Sequence, residues 1–187
     1  MATPKVIVVD ATSSVIQSAD QLGKLAKKHT MFSSYACGPL GLEVIPGAVN
    51  ATPETLPEKL GAAMGPILVS LGEAAFVADF AKIIEASDRH SFVVVCAKNC
   101  LIFAGNAANR ITSEQMRPCS ANDVLPTLAY MFGYPVPENC TGSILYQGLK
   151  DPNMPHTAMA KLQDVIAHMQ AAMERDSRAP WDKHDCA

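Results

Sequence analysis

The segment over residues 5–9 constrains the fold of this chain more than any other. Its sequence is Lys-Val-Ile-Val-Val, and a carboxylate, Asp10, follows it. A continuous β-branched run of this kind is typical of a parallel strand that is buried on both faces. Because ligands of open α/β sheets bind at the carboxyl ends of the strands, we expect Asp10 to face a potential site.

Strands and helices are predicted to alternate along the rest of the chain. Strands are expected over 31–36, 42–45, 67–71, 92–96 and 101–104, and helices over 13–28, 52–64, 73–86, 122–132 and 156–175. This βαβ alternation indicates an α/β protein. We expect one core over 1–150 and a C-terminal segment, 151–187, that holds the last helix and a tail.

The last predicted helix carries its apolar residues on one stripe. These residues are Met159, Leu162, Ile166, Met169 and Met173. An apolar stripe on a helix is usually buried against another part of the protein. Docking of this helix onto the core is one interpretation, and a seam between two copies of the chain is the other.

The composition excludes several classes of protein. Apolar residues make up 49% of the 187 residues and charged residues 18%, which excludes a disordered chain. A net charge of -3 is too balanced for a protein that binds nucleic acid electrostatically. Apolar runs are far shorter than the ~20 residues of a membrane-spanning helix, and no export signal is recognisable. We therefore expect a cytoplasmic protein with neither nucleic-acid nor membrane partners.

Two further segments carry recognisable motifs. Residues 91–100 are Ser-Phe-Val-Val-Val-Cys-Ala-Lys-Asn-Cys. Residues 122–138 are Asn-Asp-Val-Leu-Pro-Thr-Leu-Ala-Tyr-Met-Phe-Gly-Tyr-Pro-Val-Pro-Glu, and Gly142 and Leu145 follow them. The first segment resembles the strand that ends in Thr-Ala/Ser-Asp-His-Gly in the alkaline phosphatase superfamily, which includes sulfatases, phosphodiesterases and phosphoglycerate mutases. The second resembles that family's segment Asp-Ile-Ala-Pro-Thr-Leu-x-x-Leu-x-Gly-x-Pro-x-Pro and its Asp-Gly-x-x-Leu ending.

The resemblance extends over most of the chain and implies a fold. The strand that ends at Asp10 resembles the one that delivers the family's first metal-binding aspartate, and residues 22–35 resemble the block that follows it. The resemblance covers about residues 5–149. It implies a three-layer α/β sandwich with a mostly parallel sheet, in a truncated and degenerate member that has an alkaline phosphatase-like core without the cap domain.

The chain departs from the family where the metals should bind. Lys98 stands in the place of the family's metal-ligating aspartate, and Asn99 in the place of its histidine. A protonated ammonium has no lone pair for a cation. The binuclear hydrolase site is therefore expected to be absent, and Lys98 and Asn99 become candidate ligand-binding residues.

Cysteines are the other candidate site residues. Asp10, Cys96 and Cys100, with Cys37 and Cys119 nearby, are expected at one rim of the sheet, where they could bind zinc or another divalent metal, or form a redox pair. Simple packing of reduced thiols is the alternative. Cys37, which begins Cys-Gly-Pro-Leu-Gly, resembles the sulfatase nucleophile in Cys/Ser-x-Pro-x-Arg, although a glycine replaces the arginine.

Three functions are compatible with these residues. A non-catalytic assembly or ligand-binding protein is expected first, because a fold without its site carries no activity. A metal-dependent phosphate or sulfate ester hydrolase with an altered site, built on Asp10 and Cys37, is the second. A cysteine-based metal-binding or redox protein is the third. We also expect a homo-oligomer or a subunit of a larger assembly, because the missing cap would leave core surface uncovered.

Overall fold

A computed structural model describes most of the chain. The described residues are 5–109, 113–115, 117–138 and 140–151, and then 159–160, 162–163, 165–170 and 173. The chain divides into two compact units, Met1–Pro152 and Asn153–Ala187.

The β-branched run forms the central strand of the sheet, β1 (Lys5–Ala11). It pairs in parallel with β5 (Ile67–Ser70) on one side and with β6 (Ser91–Ala97) on the other. Its apolar residues 6–9 are fully buried and alternate between the two faces of the sheet. The prediction of a parallel strand buried on both faces is confirmed.

Seven strands of the described residues form this sheet, in the order β4-β5-β1-β6-β7-β2-β8. The strands not yet named are β2 (His29–Phe32), β3 (Tyr35–Ala36), β4 (Val49–Ala51), β7 (Leu101–Gly105), β8 (Ser113–Gln115) and β9 (Cys119–Ser120). Among the strands of the described residues, only β7 runs antiparallel to its two neighbours, and β3 and β9 form a separate parallel pair. The sheet is therefore mostly parallel.

Helices cover both faces of the sheet. On one face, α1 (Leu56–Ala62) and α2 (Phe76–Ala86) bury apolar side chains in one core. On the other face, α3 (Ala121–Phe132) packs its apolar side into a second core with residues of β1, β6 and β7. This arrangement confirms the α/β class with a mostly parallel sheet, and it is consistent with three layers.

The predicted helix over 13–28 is wrong in its first half. Helical structure covers only Ala19–Lys27, as 3₁₀ turns interrupted at Gly23, where φ is 53°. Residues before it are held by the tip of the β6–β7 hairpin, since Lys98 N–H donates to the Ser14 carbonyl at 2.8 Å. These tertiary hydrogen bonds replace the helical ones.

The predicted strand over 42–45 is also wrong. The segment is a 3₁₀ turn, Leu42–Val44, that follows Gly41 in a left-handed conformation with φ of 62°. Leu42 and Ile45 are both buried, and residues three apart share one side of a 3₁₀ turn. The neighbouring strand is β4 instead.

The described residues of the second unit are helical, as predicted over 156–175. The apolar side chains of its stripe are each more than half exposed: Met159, Leu162, Ile166, Met169 and Met173. No helix of the described residues is both long and apolar enough to cross a membrane. The predicted tail, 177–187, lies outside the described residues.

Candidate functional site

Asp10 and Cys96 lie side by side at the carboxyl end of the sheet. The parallel register of β1 and β6 pairs these two residues directly. Cys96 is fully buried in the core beneath α3, and strand alternation places Asp10 on the same face as Val8 of that core. One oxygen of the Asp10 carboxylate accepts a hydrogen bond from the Thr12 N–H at 3.3 Å. The carboxylate thus helps to shape its own loop.

Two further thiols and a tyrosine surround Cys96. Tyr35 and Cys119 are paired in the short sheet of β3 and β9, and Cys37 follows on the chain. Cys37 and Cys119 lie close enough to Cys96 and to the Tyr35 hydroxyl for a charge on either to raise the pKa of both groups. That hydroxyl is buried beside the Cys96 thiol, yet no atom of the described residues meets hydrogen-bond geometry with it. Of the residues expected to converge, Asp10, Cys37, Cys96, Cys100 and Cys119, the structure places Asp10, Cys37 and Cys119 each near Cys96.

These buried thiols are held in their protonated form. Burial raises the pKa of Cys96 to about 12, and the nearby Asp10 carboxylate also raises it. Burial likewise raises the pKa of Cys119 to about 12, with Asp123 adding to the effect. Burial also raises the pKa of the Tyr35 hydroxyl above its usual range. Because the thiolate is the form that attacks electrophiles, Cys96 and Cys119 are weak nucleophiles at neutral pH.

Cys37, the candidate nucleophile, is exposed at the end of the β6–β7 hairpin. Its thiol donates to the carbonyl oxygens of Ala97 and Lys98, at 3.5 and 3.6 Å. These contacts place the Cys37 thiol against the backbone of the hairpin.

Cys100 lies apart from Asp10 and Cys96. It belongs to the core on the opposite face of the sheet, to which α1 and α2 also contribute. Burial raises its pKa to about 11. The structure therefore brings two of the three candidate metal ligands together and separates the third. Among the described residues, no three His, Cys, Asp or Glu side chains are arranged to hold a metal ion.

Lys98 and Asn99 form the tip of the β6–β7 hairpin. The Asn99 side chain accepts a hydrogen bond from the Ile16 N–H at 3.0 Å and donates one to the Ile16 carbonyl at 2.8 Å. This reciprocal pair holds the loop that follows β1 against the hairpin. The Lys98 side chain is exposed. Asn99, which the sequence singled out as a ligand-binding residue, thus anchors a loop, a role that only the tertiary structure shows.

The segment over 122–138 and the residues after it are joined by interactions that sequence reasoning did not foresee. The Asp123 carboxylate accepts hydrogen bonds from the N–H groups of Ser120 and Ser143 and so caps α3. The buried Thr127 hydroxyl donates to the Asp123 carbonyl at 2.6 Å and accepts from the Leu145 N–H at 3.0 Å. These side chains tie the returning chain to α3.

Gly142 is required by the same close approach. A Cβ atom at this position would lie 1.9 Å from the carbonyl oxygen of Asn122, on the first turn of α3. No side chain fits there without a backbone movement. The structure thus gives a packing reason for a glycine within the segment that resembles the family's Asp-Gly-x-x-Leu ending.

No family model, curated protein or solved structure matches this chain. The resemblance to the alkaline phosphatase superfamily accordingly stays a prediction that rests on the sequence segments named above. The structure itself supplies the α/β class, the mostly parallel sheet and the placement of the candidate residues.

Proposed function

We propose that the protein is a non-catalytic assembly protein. It keeps an α/β core of the alkaline phosphatase type, and it associates with a second copy of itself through the helix of its C-terminal unit. The observation that carries this proposal is the solvent-exposed apolar stripe of that helix.

The spacing of the stripe favours a helix–helix seam. Its residues, numbered 159, 162, 166, 169 and 173, follow each other at intervals of three, four, three and four. This 3.5-residue period is that of the a and d positions of a coiled coil. The exposed fractions of the five side chains run from 54% to 69%, so a large apolar face is available for contact. Burial of such a face stabilises an association by about 25 cal/mol per Å² of apolar surface.

The residues beside the stripe favour a second copy of the same helix as the partner. Gln163, Val165 and Gln170 flank the apolar positions and carry no charge. Two identical helices can therefore meet without repulsion between like charges at these positions. Since the stripe spans only about two heptads, the association is expected to depend on protein concentration.

The carboxyl edge of the sheet supports the non-catalytic part of the proposal. The Asn99 side chain forms hydrogen bonds with the Ile16 backbone, and the Cys37 thiol donates hydrogen bonds to backbone carbonyls. The thiols of Cys96 and Cys119 have raised pKa values. The contacts of Asn99 and Cys37 and the protonated state of the two buried thiols support a structural rather than a catalytic role for these residues.

The test compares solution mass across three proteins by sedimentation equilibrium. The seam variant Ile166→Glu/Met169→Glu places two charges on the stripe, and the control Ala160→Glu/Ala167→Glu places two charges on the outer side of the helix. We expect a dimer for the parent and the control and a monomer for the seam variant, with the same far-UV circular dichroism. A monomeric parent at high concentration would contradict the assembly and favour docking of the helix onto the core.

Elemental analysis, run beside a native mass spectrum of protein purified without chelator, tests the non-catalytic part. The proposal expects less than a stoichiometric amount of metal and no turnover of a generic phosphate or sulfate ester. One or two metal ions per chain, with metal-dependent turnover lost in Asp10→Ala, would instead establish the hydrolase. Bound zinc without turnover would favour the cysteine-based metal protein.

A further inference from the structure

A cavity of about 330 Å³ opens at the opposite edge of the sheet from Asp10. Three segments enclose it: residues 24–28 at the end of the 3₁₀ segment, residues 87–89 before β6, and residues 105–106 after β7. The register of β6 and β7 pairs Gly105 with Phe92, so the cavity lies at the amino end of β6. Cavities of about 300–1,000 Å³ are typical sites for small ligands.

Positive side chains dominate the lining. Of the described residues, Lys24, Lys27, Lys28 and Arg89 line the cavity, together with one acidic residue, Asp88. The Asp88 carboxylate is itself paired with Lys5 at 3.2 Å. In a chain with a net charge of -3, four cationic groups around one concavity form a local positive field.

Lys24 neutralises the backbone carbonyls that would repel an anion in this cavity. Helix α2 ends beside the cavity, and the carbonyls at a helix carboxyl end carry partial negative charge. The Lys24 ammonium donates hydrogen bonds to the carbonyl of Glu85 at 3.2 Å and to that of Ser87. These bonds use part of its capacity to bind an anion. Lys24 thereby offsets the helix end, and Lys28 and Arg89 add positive charge to the lining.

We propose that this cavity binds a small phosphate-bearing anion. Lysine and arginine are the side chains that bind phosphate oxygens most strongly, and guanidinium offers paired donors in one plane. Arg89 uses its Nε–H on the His90 ring at 3.0 Å, which fixes the guanidinium while its terminal nitrogens keep further donors. Leu25 adds an apolar wall suited to the organic part of a phosphate ester.

The ligand can be an inorganic polyphosphate or the phosphoryl end of an organic molecule, and two probes separate them. Isothermal titration with pyrophosphate measures the contribution of charge alone, and titration with ADP adds an organic part. We expect one site per chain for the preferred probe and weaker binding as sodium chloride is added. Tighter binding of ADP than of pyrophosphate identifies a phosphate ester as the class of ligand.

Matched variants locate the site. Lys28→Gln/Arg89→Gln removes two cavity charges, and Lys59→Gln/Lys150→Gln removes two exposed charges outside the cavity. The first pair is expected to weaken binding at least about tenfold, and the second to leave it within about twofold. No binding of either probe at millimolar concentration, or equal weakening in both variants, would overturn the proposal. The seam variant Ile166→Glu/Met169→Glu should bind as the parent does, so the assembly and the cavity can fail independently.

Discussion

Gly142 offers the sharpest test of how the chain returns to α3. In Gly142→Ala the new methyl group would lie 1.9 Å from the Asn122 carbonyl oxygen, 2.4 Å from its carbonyl carbon and 2.8 Å from the Asp123 nitrogen. All three atoms are backbone, so no side-chain rotation relieves the contact. The first turn of α3 and the returning chain must separate by more than 1 Å, since ordinary contacts begin near about 3 Å.

The cost of that separation can be worked from the contacts it disturbs. Overpacking of this kind costs about 1–3 kcal/mol. The hydrogen bond from the Ser143 N–H to the Asp123 carboxylate crosses the same gap, and its loss costs about 1 kcal/mol more. We therefore expect Gly142→Ala to lower the free energy of unfolding by about 2–4 kcal/mol, a large part of the 5–15 kcal/mol typical of a domain.

Gly61→Ala is the matched control, and its expected effect has the opposite sign. Gly61 lies within α1, and a Cβ atom there would meet nothing within 4 Å. Alanine in an exposed helix position stabilises by about 0.5–1 kcal/mol relative to glycine. Urea unfolding followed by circular dichroism measures both variants. Gly142→Ala within 1 kcal/mol of the parent, at an unchanged slope, would refute the reasoning about the close approach.

Two further predictions concern the carboxyl edge of the sheet. Asn99→Ala should lower the free energy of unfolding in urea by about 1–3 kcal/mol, because both hydrogen bonds to Ile16 are lost. The control Lys98→Ala should change it by less than about 0.5 kcal/mol. Equal effects of the two substitutions would contradict the anchoring role of Asn99. A thiol reagent at pH 8 should modify exposed Cys37 well before the three thiols with raised pKa values, Cys96, Cys100 and Cys119, and unfolding should expose all six. The same raised values mean that the folded state binds more protons than the unfolded state above about pH 9, so the stability that these thiols contribute should be constant below that pH and be lost toward pH 12. A flat stability profile from pH 8 to pH 11 would contradict the thiol assignment.

The elements that could be predicted from the sequence are those whose pattern is decided locally. The β-branched run of β1 predicts a strand that is buried on both faces. The apolar residues along one side of α3 predict a helix that is buried on one stripe. Each pattern is compatible with few other structures. The prediction of a helix over 13–28 was wrong because the helical pattern competes with hydrogen bonds to a hairpin far along the chain. No local rule contains that contact.

The candidate site shows the same division. The carboxyl ends of β1 and β6 could be predicted to bring Asp10 and Cys96 together, since adjacent parallel strands end at one edge. The separation of Cys100 from these two residues could not be predicted. It depends on the turn between β6 and β7, which places this thiol on the opposite face of the sheet. The basic cavity could not be predicted from the sequence, because its lysines and arginine belong to segments that meet only in the folded chain.

The central position of β1 has a consequence for the order in which the sheet forms. β6 and β7 are joined by a tight turn and can pair as soon as both have been synthesised, whereas β1 must wait for β5 and β6, which lie far along the chain. Pairings between distant segments are slow because a long loop must close first. Until then the apolar run of β1 has no partner strand and is a segment prone to aggregation. The strand at the centre of the finished sheet is thus synthesised before either of its neighbours and hydrogen-bonded only after both.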